Sequence, residues 1–288
     1  MSPVIIDAHT HIFPPVIVRH PEEYRRRDRW FGELYASPRA LLATAEDLLA
    51  SMNGAAIDIS VVCGFPWADP GLCREHNDYL AAACREYPGR IAWLGIVVPG
   101  DPGAPAEAER CFREGASGIG ELNADAQGFD FAEPRALAPL VEVCQAYAKP
   151  LLVHVSEPLG HLYPGKGSAW PQRFIRFLEA FPDQVVVAAH WGGGLPFYEL
   201  MPEVARAARN VVYDSAASTY LYRFEVFRTV IDVAGAHRVL MATDYPVLRQ
   251  KPFLERVRRA GLTEQELAFV LGENAARVFD LPARRVGA

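Results

Sequence analysis

Two histidines stand two residues apart in the opening segment Val4-Ile5-Ile6-Asp7-Ala8-His9-Thr10-His11. Alternate residues of an extended strand point to the same side, so both imidazoles can reach one ion. A His-x-His pair alone is a weak signal, because two ordinary polar residues at a strand end look the same. Three later residues repeat a pattern in which a metal-competent group closes an apolar run. His154 follows Leu151-Leu152-Val153, His190 follows Val185-Val186-Val187-Ala188-Ala189, and Asp244 follows Val239-Leu240-Met241-Ala242-Thr243. Taken singly, each reads more simply as a hydrogen-bonded histidine or a helix-capping aspartate. Together they offer imidazole and carboxylate donors, which suit zinc, manganese or iron. Glu121, in Gly118-Ile119-Gly120-Glu121-Leu122-Asn123, is a carboxylate inside a short apolar strand. Burying it is costly unless it is paired or coordinated. It is therefore either half of an ion pair with an arginine or lysine, or a further ligand that completes a two-metal site.

Such residues can share an ion only if the strands that carry them converge. Short runs rich in Val and Ile recur at Val4–Ile6, Ile59–Val62, Ile91–Val98, Gly118–Leu122, Leu151–Val155, Val185–Ala189, Val211–Tyr213 and Val239–Ala242. Helical patterns at His76–Glu86, Ala106–Glu114, Pro134–Tyr147, Pro171–Phe181 and Phe224–Val233 lie between many of them. Strands alternating with helices imply parallel pairing. Eight such units in 288 residues fit an α/β fold of the (β/α)8 TIM-barrel type as a single domain. The alternative is an open doubly wound sheet, but no Gly-x-Gly-x-x-Gly follows the first strand to mark a dinucleotide site. A barrel gathers the carboxyl ends of its strands around one point, where active sites form.

Residues 13–44 and 156–170 break the rhythm with prolines and glycines. Both follow strands, so both are expected as long loops over the C-terminal face. Trp30, Trp67, Tyr163, Trp170, Phe197 and Tyr222 are candidates to line a pocket, against the simpler reading of packing. Lys166 and Arg173 are candidates to hold a substrate carboxylate, and His161 to touch substrate, against surface exposure. No linker or repeat marks a second domain, so 1–288 reads as one unit, with a loose tail expected from Pro282 to Ala288.

Half of the residues are hydrophobic, 22% are charged, and the formal net charge is -6. A mildly acidic chain is a poor partner for nucleic acid or an anionic membrane. The basic stretch Arg25-Arg26-Arg27 and Arg29 is interleaved with Glu22, Glu23 and Asp28, as on a solvated surface. Cys63, Cys73, Cys84, Cys111 and Cys144 are odd in number and contain no Cys-x-x-Cys, so reduced thiols are expected. The opening residues lack the basic start and cleavage pattern of a secretory signal, and no apolar run approaches the roughly 20 residues that span a bilayer. A cytoplasmic location is expected, with a small-molecule substrate, no nucleic-acid or membrane partner, and a homo-oligomer left open.

At this point the chain resembles the amidohydrolase superfamily, in the branch of the aminocarboxymuconate-semialdehyde decarboxylase-like enzymes. The resemblance lies in Asp7-Ala8-His9-Thr10-His11, Val153-His154-Val155, Ala189-His190-Trp191-Gly192-Gly193-Gly194, Ala242-Thr243-Asp244-Tyr245-Pro246 and the closing Leu271-Gly272-Glu273-Asn274-Ala275-Ala276-Arg277-Val278-Phe279. It implies that His9, His11, His154 and Asp244 ligate a metal. It also implies that His190 acts on substrate or water, or binds a second ion. The setting of Glu121 is similar to the Gly-Glu-Ile strand of the TatD-like hydrolases, where a glutamate helps to bind a metal pair. Glu121 tilts the expectation to a hydrolase that cleaves an amide, lactone or ester of a small molecule with metal-activated water. One or two divalent ions are expected, zinc first, with manganese also suited. Asp244 would carry the proton, and His190 would assist. The alternative is a single-metal, non-oxidative decarboxylase of a small unsaturated or aromatic acid, with Asp244 or His190 as proton donor. A non-catalytic metal-binding protein on this fold is the third reading.

Overall fold

The computed structural model describes residues 4–282. Eight parallel strands follow one another around one sheet in sequence order. They are β1 (Ile6–His11), β2 (Ile59–Cys63), β3 (Ile91–Gly95), β4 (Gly118–Leu122), β5 (Leu151–Val153), β6 (Val186–Ala188), β7 (Val211–Asp214) and β8 (Val239–Leu240). The ends of the sheet meet. Ala8 N–H donates to Met241 O at 2.9 Å, Asp244 N–H to His9 O at 2.9 Å, and His11 N–H to Tyr245 O at 2.6 Å. The fold is the expected single-domain (β/α)8 barrel.

The strands are buried throughout, as their unbroken apolar runs require when both faces are covered. Ile6, Ala8, Val61, Leu94, Leu152, Val187, Val212 and Leu240 belong to an inner cluster. Val62, Trp93, Ile119, Val153, Val186 and Tyr213 belong to a larger one with helical side chains such as Phe174, Phe227 and Phe253. Two irregularities interrupt the pairing. One lies between Asp7 and Thr10 on β1, the other between Ile119 and Leu122 on β4. Such breaks re-aim side chains beside active sites, and these two flank His9 and Glu121.

The observed elements differ from the sequence reading mainly at their ends. β1 begins later and runs through both histidines, because pairing with β2 continues to His11 opposite Cys63. β5, β6 and β8 are shorter than their apolar runs, since the chain turns where the barrel mouth opens. Residues 13–44 are not one loop. They contain the short helices Pro15–Arg19, Pro21–Arg27 and Arg29–Leu34. Pro15 and Pro21 occupy first helical positions, where the missing N–H has no cost, so prolines here start helices rather than break them. Asp28 caps the third helix by accepting from Phe31 N–H at 2.8 Å. Residues 156–170 hold no helix or strand. Asp125 anchors them, accepting from Ser168 N–H and Oγ–H, both at 2.7 Å. Of the expected tail, residues from Ala283 onward lie outside the described residues. No described helix is long and apolar enough to cross a membrane.

One buried ion pair braces the barrel between β7 and β8. Arg238 meets Glu199 through two bonds, Nη1–Oε2 at 2.6 Å and Nη2–Oε1 at 2.8 Å, and Tyr213 OH donates to the same carboxylate at 2.5 Å. Arg238→Ala strands this carboxylate in the interior. It should lower the unfolding free energy by about 3–5 kcal/mol, read from urea denaturation. The double replacement Arg238→Met with Glu199→Leu should lose much less, and equal losses would refute this account.

Candidate metal centre

The site begins with two imidazoles that face each other. His9 Nδ1 lies 2.8 Å from Asp214 Oδ2, and His11 Nδ1 lies 3.2 Å from Cys63 O. A carboxylate and a carbonyl only accept, so each Nδ1 carries a proton and each Nε2, when unprotonated, presents a lone pair to the other. Those two Nε2 atoms are 3.0 Å apart. Lone pairs at that distance repel unless a proton or a metal ion stands between them.

A second group repeats the arrangement. His190 Nδ1 donates to Ala216 O at 3.2 Å, which leaves its Nε2 free to face His154 Nδ1 at 3.1 Å. His154 Nε2 lies 3.1 Å from Ser156 Oγ, and that oxygen accepts from Gly167 N–H at 3.1 Å. Glu121 joins the two groups. Its Oε1 is 2.9 Å from His154 Nδ1 and 3.3 Å from His190 Nε2, and its Oε2 is 3.5 Å from Nε2 of both His9 and His11. Asp244 Oδ1 completes the first group at 3.5 Å from His11 and 4.0 Å from His9. His9, His11 and Asp244 form one triad with metal-ligand spacing, and Glu121, His154 and His190 form the other. Converging lone pairs on nitrogen and oxygen, each ring fixed from behind, fit a divalent ion.

The charges agree with that fit. Burial works against charging His9, yet its neighbours Cys63, Glu121 and Asp214 hold its pKa well above the usual value. Burial likewise opposes a charge on His190, but the Glu121 hydrogen bond and charge push it up to about 9. Burial would raise Glu121, but His9 and hydrogen bonds from His11, His154 and His190 hold it well below the carboxylate range. Without an ion, the cluster is held together by protons.

Local geometry puts each group in place. Gly120 has φ +153, and a Cβ there would lie 2.4 Å from Leu152 O, so only glycine lets β4 bring Glu121 against the end of β5. His190 and Asp244 follow their strands with positive φ values of 57 and 62, which turns both side chains away from the strand direction. Gly193 permits the next bend: a Cβ would stand 2.4 Å from Ser156 O. Asp7 fixes the residue before Asp244, accepting from Thr243 N–H at 2.9 Å, Thr243 Oγ–H at 2.6 Å and Gln250 Nε2 at 2.8 Å. The sequence reading did not single out Asp214, Ser156 or Asp7 as supports. Asp214 had a signal, since it closes the run Val211-Val212-Tyr213 as Asp244 closes its own.

A cavity of about 450 Å³ opens over the cluster, with His11, Glu121, His154, His190 and Asp244 on its lining. Its walls include Trp30, Tyr35, Phe65, Tyr163 and Tyr220, with His161 and Arg39. Among the aromatic candidates, Trp30 and Tyr163 line it. Trp67 is fully buried and stacks on Phe31 at 5.0 Å. Trp170 borders a separate shallow groove, and Phe197 and Tyr222 pair with each other at 6.2 Å. Lys166 and Arg173 do not face the cavity. Lys166 Nζ donates to Leu159 O at 2.6 Å and His161 O at 3.1 Å, and Arg173 is paired with Asp130.

Residues 6–281 match the family model described as amidohydrolase. Among solved structures, the chain is similar to the 5-carboxyvanillate decarboxylase of Sphingomonas paucimobilis. The TM-score is 0.79 at 21% identity, over 98% of this chain and 100% of that one. It is also similar to the 5-carboxyvanillate decarboxylase of Novosphingobium aromaticivorans, solved with manganese and 4-hydroxy-3-methoxy-5-nitrobenzoic acid. There the TM-score is 0.74 at 22% identity, over 96% of each chain. The 2,6-dihydroxybenzoate decarboxylase from Rhizobium aligns with a TM-score of 0.71 at 19% identity, over 97% of this chain and 99% of that one. These matches overturn the expected hydrolysis of an amide, lactone or ester, because the similar enzymes are named as decarboxylases. The expectation leaned on Glu121 as a bridge between two ions. Here four imidazoles share that carboxylate, so its presence does not by itself call for hydrolysis. The ion named in the Novosphingobium structure is manganese, where zinc was expected first.

Two outcomes follow for this cluster. His190, with its pKa near 9, holds a proton at neutral pH in the metal-free protein, so a divalent ion must displace it. Manganese affinity should therefore rise with pH and level off above about 9, and the calorimetric enthalpy should vary with the buffer's ionisation enthalpy. A buffer-independent enthalpy would contradict this. In Asp214→Asn the amide oxygen stays with the backbone N–H groups of His190 and Ala216, so an NH2 group replaces the oxygen that accepts from His9 Nδ1. This substitution should weaken manganese binding about 10–100-fold by equilibrium dialysis.

Proposed function

The chain belongs to the amidohydrolase family, and on that premise we propose that it is a divalent-metal-dependent, non-oxidative decarboxylase of a small hydroxylated aromatic acid. The observation that carries this reading is the position of Asp244. Its carboxylate lines an aromatic-walled cavity while its Oδ1 turns to the histidine pair. The named activities of the similar solved enzymes support the same class.

In this reading His9, His11, His154 and Asp244 hold one ion, with Glu121 and His190 beside it. Manganese is the first ion to load, given the manganese-bound relatives, and zinc the second. When bound, the ion supplies a fixed positive centre that draws a substrate oxygen and spreads its charge. The chain's own residues do the rest. The aromatic walls sandwich the ring and exclude water from the reacting carbon. Asp244 holds a proton on Oδ2, the oxygen turned away from His11, and gives it to the ring carbon that bears the carboxylate. The bond from that carbon to the carboxylate breaks, its electron pair stays with the ring to meet the proton, and carbon dioxide leaves. Solvent then returns a proton to Asp244. His190 is held by Ala216 O and Glu121, so its ring is fixed in place beside the substrate anion.

The test is carbon dioxide release from manganese-loaded protein given 2,6-dihydroxybenzoate, 5-carboxyvanillate and related acids. Asp244→Asn should lower kcat by about 10²–10⁴ and still contain manganese by elemental analysis. Ester, lactone or amide cleavage with no decarboxylation would overturn the proposal. So would near-normal turnover by Asp244→Asn.

A further inference from the structure

Tyr35 is among the polar groups of the cavity wall that the chemistry above does not use. Tyr35 directly follows the helix Arg29–Leu34, and its backbone N–H donates to Phe31 O at 3.0 Å. Its ring is wedged among Phe31, Phe13 and Phe65, at centroid distances of 4.5, 5.7 and 6.0 Å. The wall is braced from outside as well. Gly165, at φ +90, packs so closely that a Cβ there would meet Leu34 Cδ2 at 2.4 Å. Packing of this kind fixes the direction of the phenol.

Among the described residues the Tyr35 hydroxyl has no hydrogen-bond partner, and it is not among the polar atoms sealed from solvent without one. Its open side is the cavity, which Tyr35 lines together with Glu121 and Asp244. Burial and the charges of Asp244 and Glu121 push its pKa far up, so the phenol stays neutral and remains a donor. By contrast, the hydroxyl of Tyr163 in the same wall is committed to Glu157 at 3.1 Å. A rigid, unpaired donor beside a reaction centre is satisfied only by what enters the cavity.

We propose that Tyr35 is a specificity-determining residue whose hydroxyl donates a hydrogen bond to a ring oxygen of the substrate. The substrate carboxylate is drawn by the cationic cluster, against which a neutral phenol competes poorly. The phenol is left for a hydroxyl or phenolate oxygen on the ring. A site built to bond such an oxygen rejects analogues that lack it, because its own donor is then left unpaired. The site therefore takes hydroxy-substituted arenecarboxylates over unsubstituted ones. This rests on the decarboxylase reading for the class of acid, but the binding test does not need turnover.

Calorimetry on the manganese-loaded protein compares 2-nitrophenol, whose nitro group takes the place of the carboxylate, with nitrobenzene, which lacks the ring oxygen. The native protein should bind 2-nitrophenol at least about tenfold more tightly. Tyr35→Phe keeps the packed ring and should lose about tenfold for 2-nitrophenol alone. No preference in the native protein overturns the inference without any variant. Equal losses for both ligands in Tyr35→Phe, or no loss, also overturn it. A Tyr35-dependent preference without release of carbon dioxide from 2-hydroxybenzoate would sink the decarboxylase reading and leave this inference standing.

Discussion

His9 and His11 present lone pairs to each other across 3.0 Å, and much of the barrel is arranged to keep them there. Left alone, the two rings would rotate apart. They cannot, because Asp214 and the Cys63 carbonyl hold each from behind. The same convergence recurs between His154 and His190, with Glu121 spanning both pairs. A cluster of this kind has one stable solution, which is positive charge at its centre. Protons supply that charge in the metal-free chain, and a divalent ion competes for the same positions.

The fold bears the cost of this arrangement at the strand ends. Pairing breaks occur on β1 and β4 beside His9 and Glu121, and positive φ values occur at His190 and Asp244. These are local departures from regular structure that close packing elsewhere must offset. The supports reach well back into the barrel. Asp7 ties β1 to the segment after β8 through Thr243 and Gln250, so the same few bonds close the barrel and position Asp244.

Above the cluster, the environment changes from polar to aromatic. The helices of residues 15–34 and the segment 156–170 both contribute walls to the cavity. Ser156 Oγ hydrogen-bonds His154 Nε2 and accepts from Gly167 N–H, so one hydroxyl links the cluster to the segment that covers it. An apolar enclosure over a positive centre suits an aromatic anion whose reacting carbon must be kept from water.

The eight apolar runs, the interleaved helices and the polar residues that close the strands made both the barrel and its six central donors legible in the sequence. Strand burial and strand order are written locally, in hydrophobic patterning, and a parallel barrel leaves little freedom in where strand ends point. The tertiary structure alone decided which supports lie behind the donors. Asp214 contacts His9 across 205 positions of chain, and no local pattern encodes that meeting. It also decided that prolines in residues 13–44 start helices, that Lys166 and Arg173 are spent on other partners, and that Tyr35 keeps its hydroxyl free. Those are outcomes of packing between distant segments. Glu121 shows the limit most clearly. Its burial was readable from its apolar neighbours, but its four imidazole neighbours are assembled only when β1, β4, β5 and β6 meet at one end of the barrel.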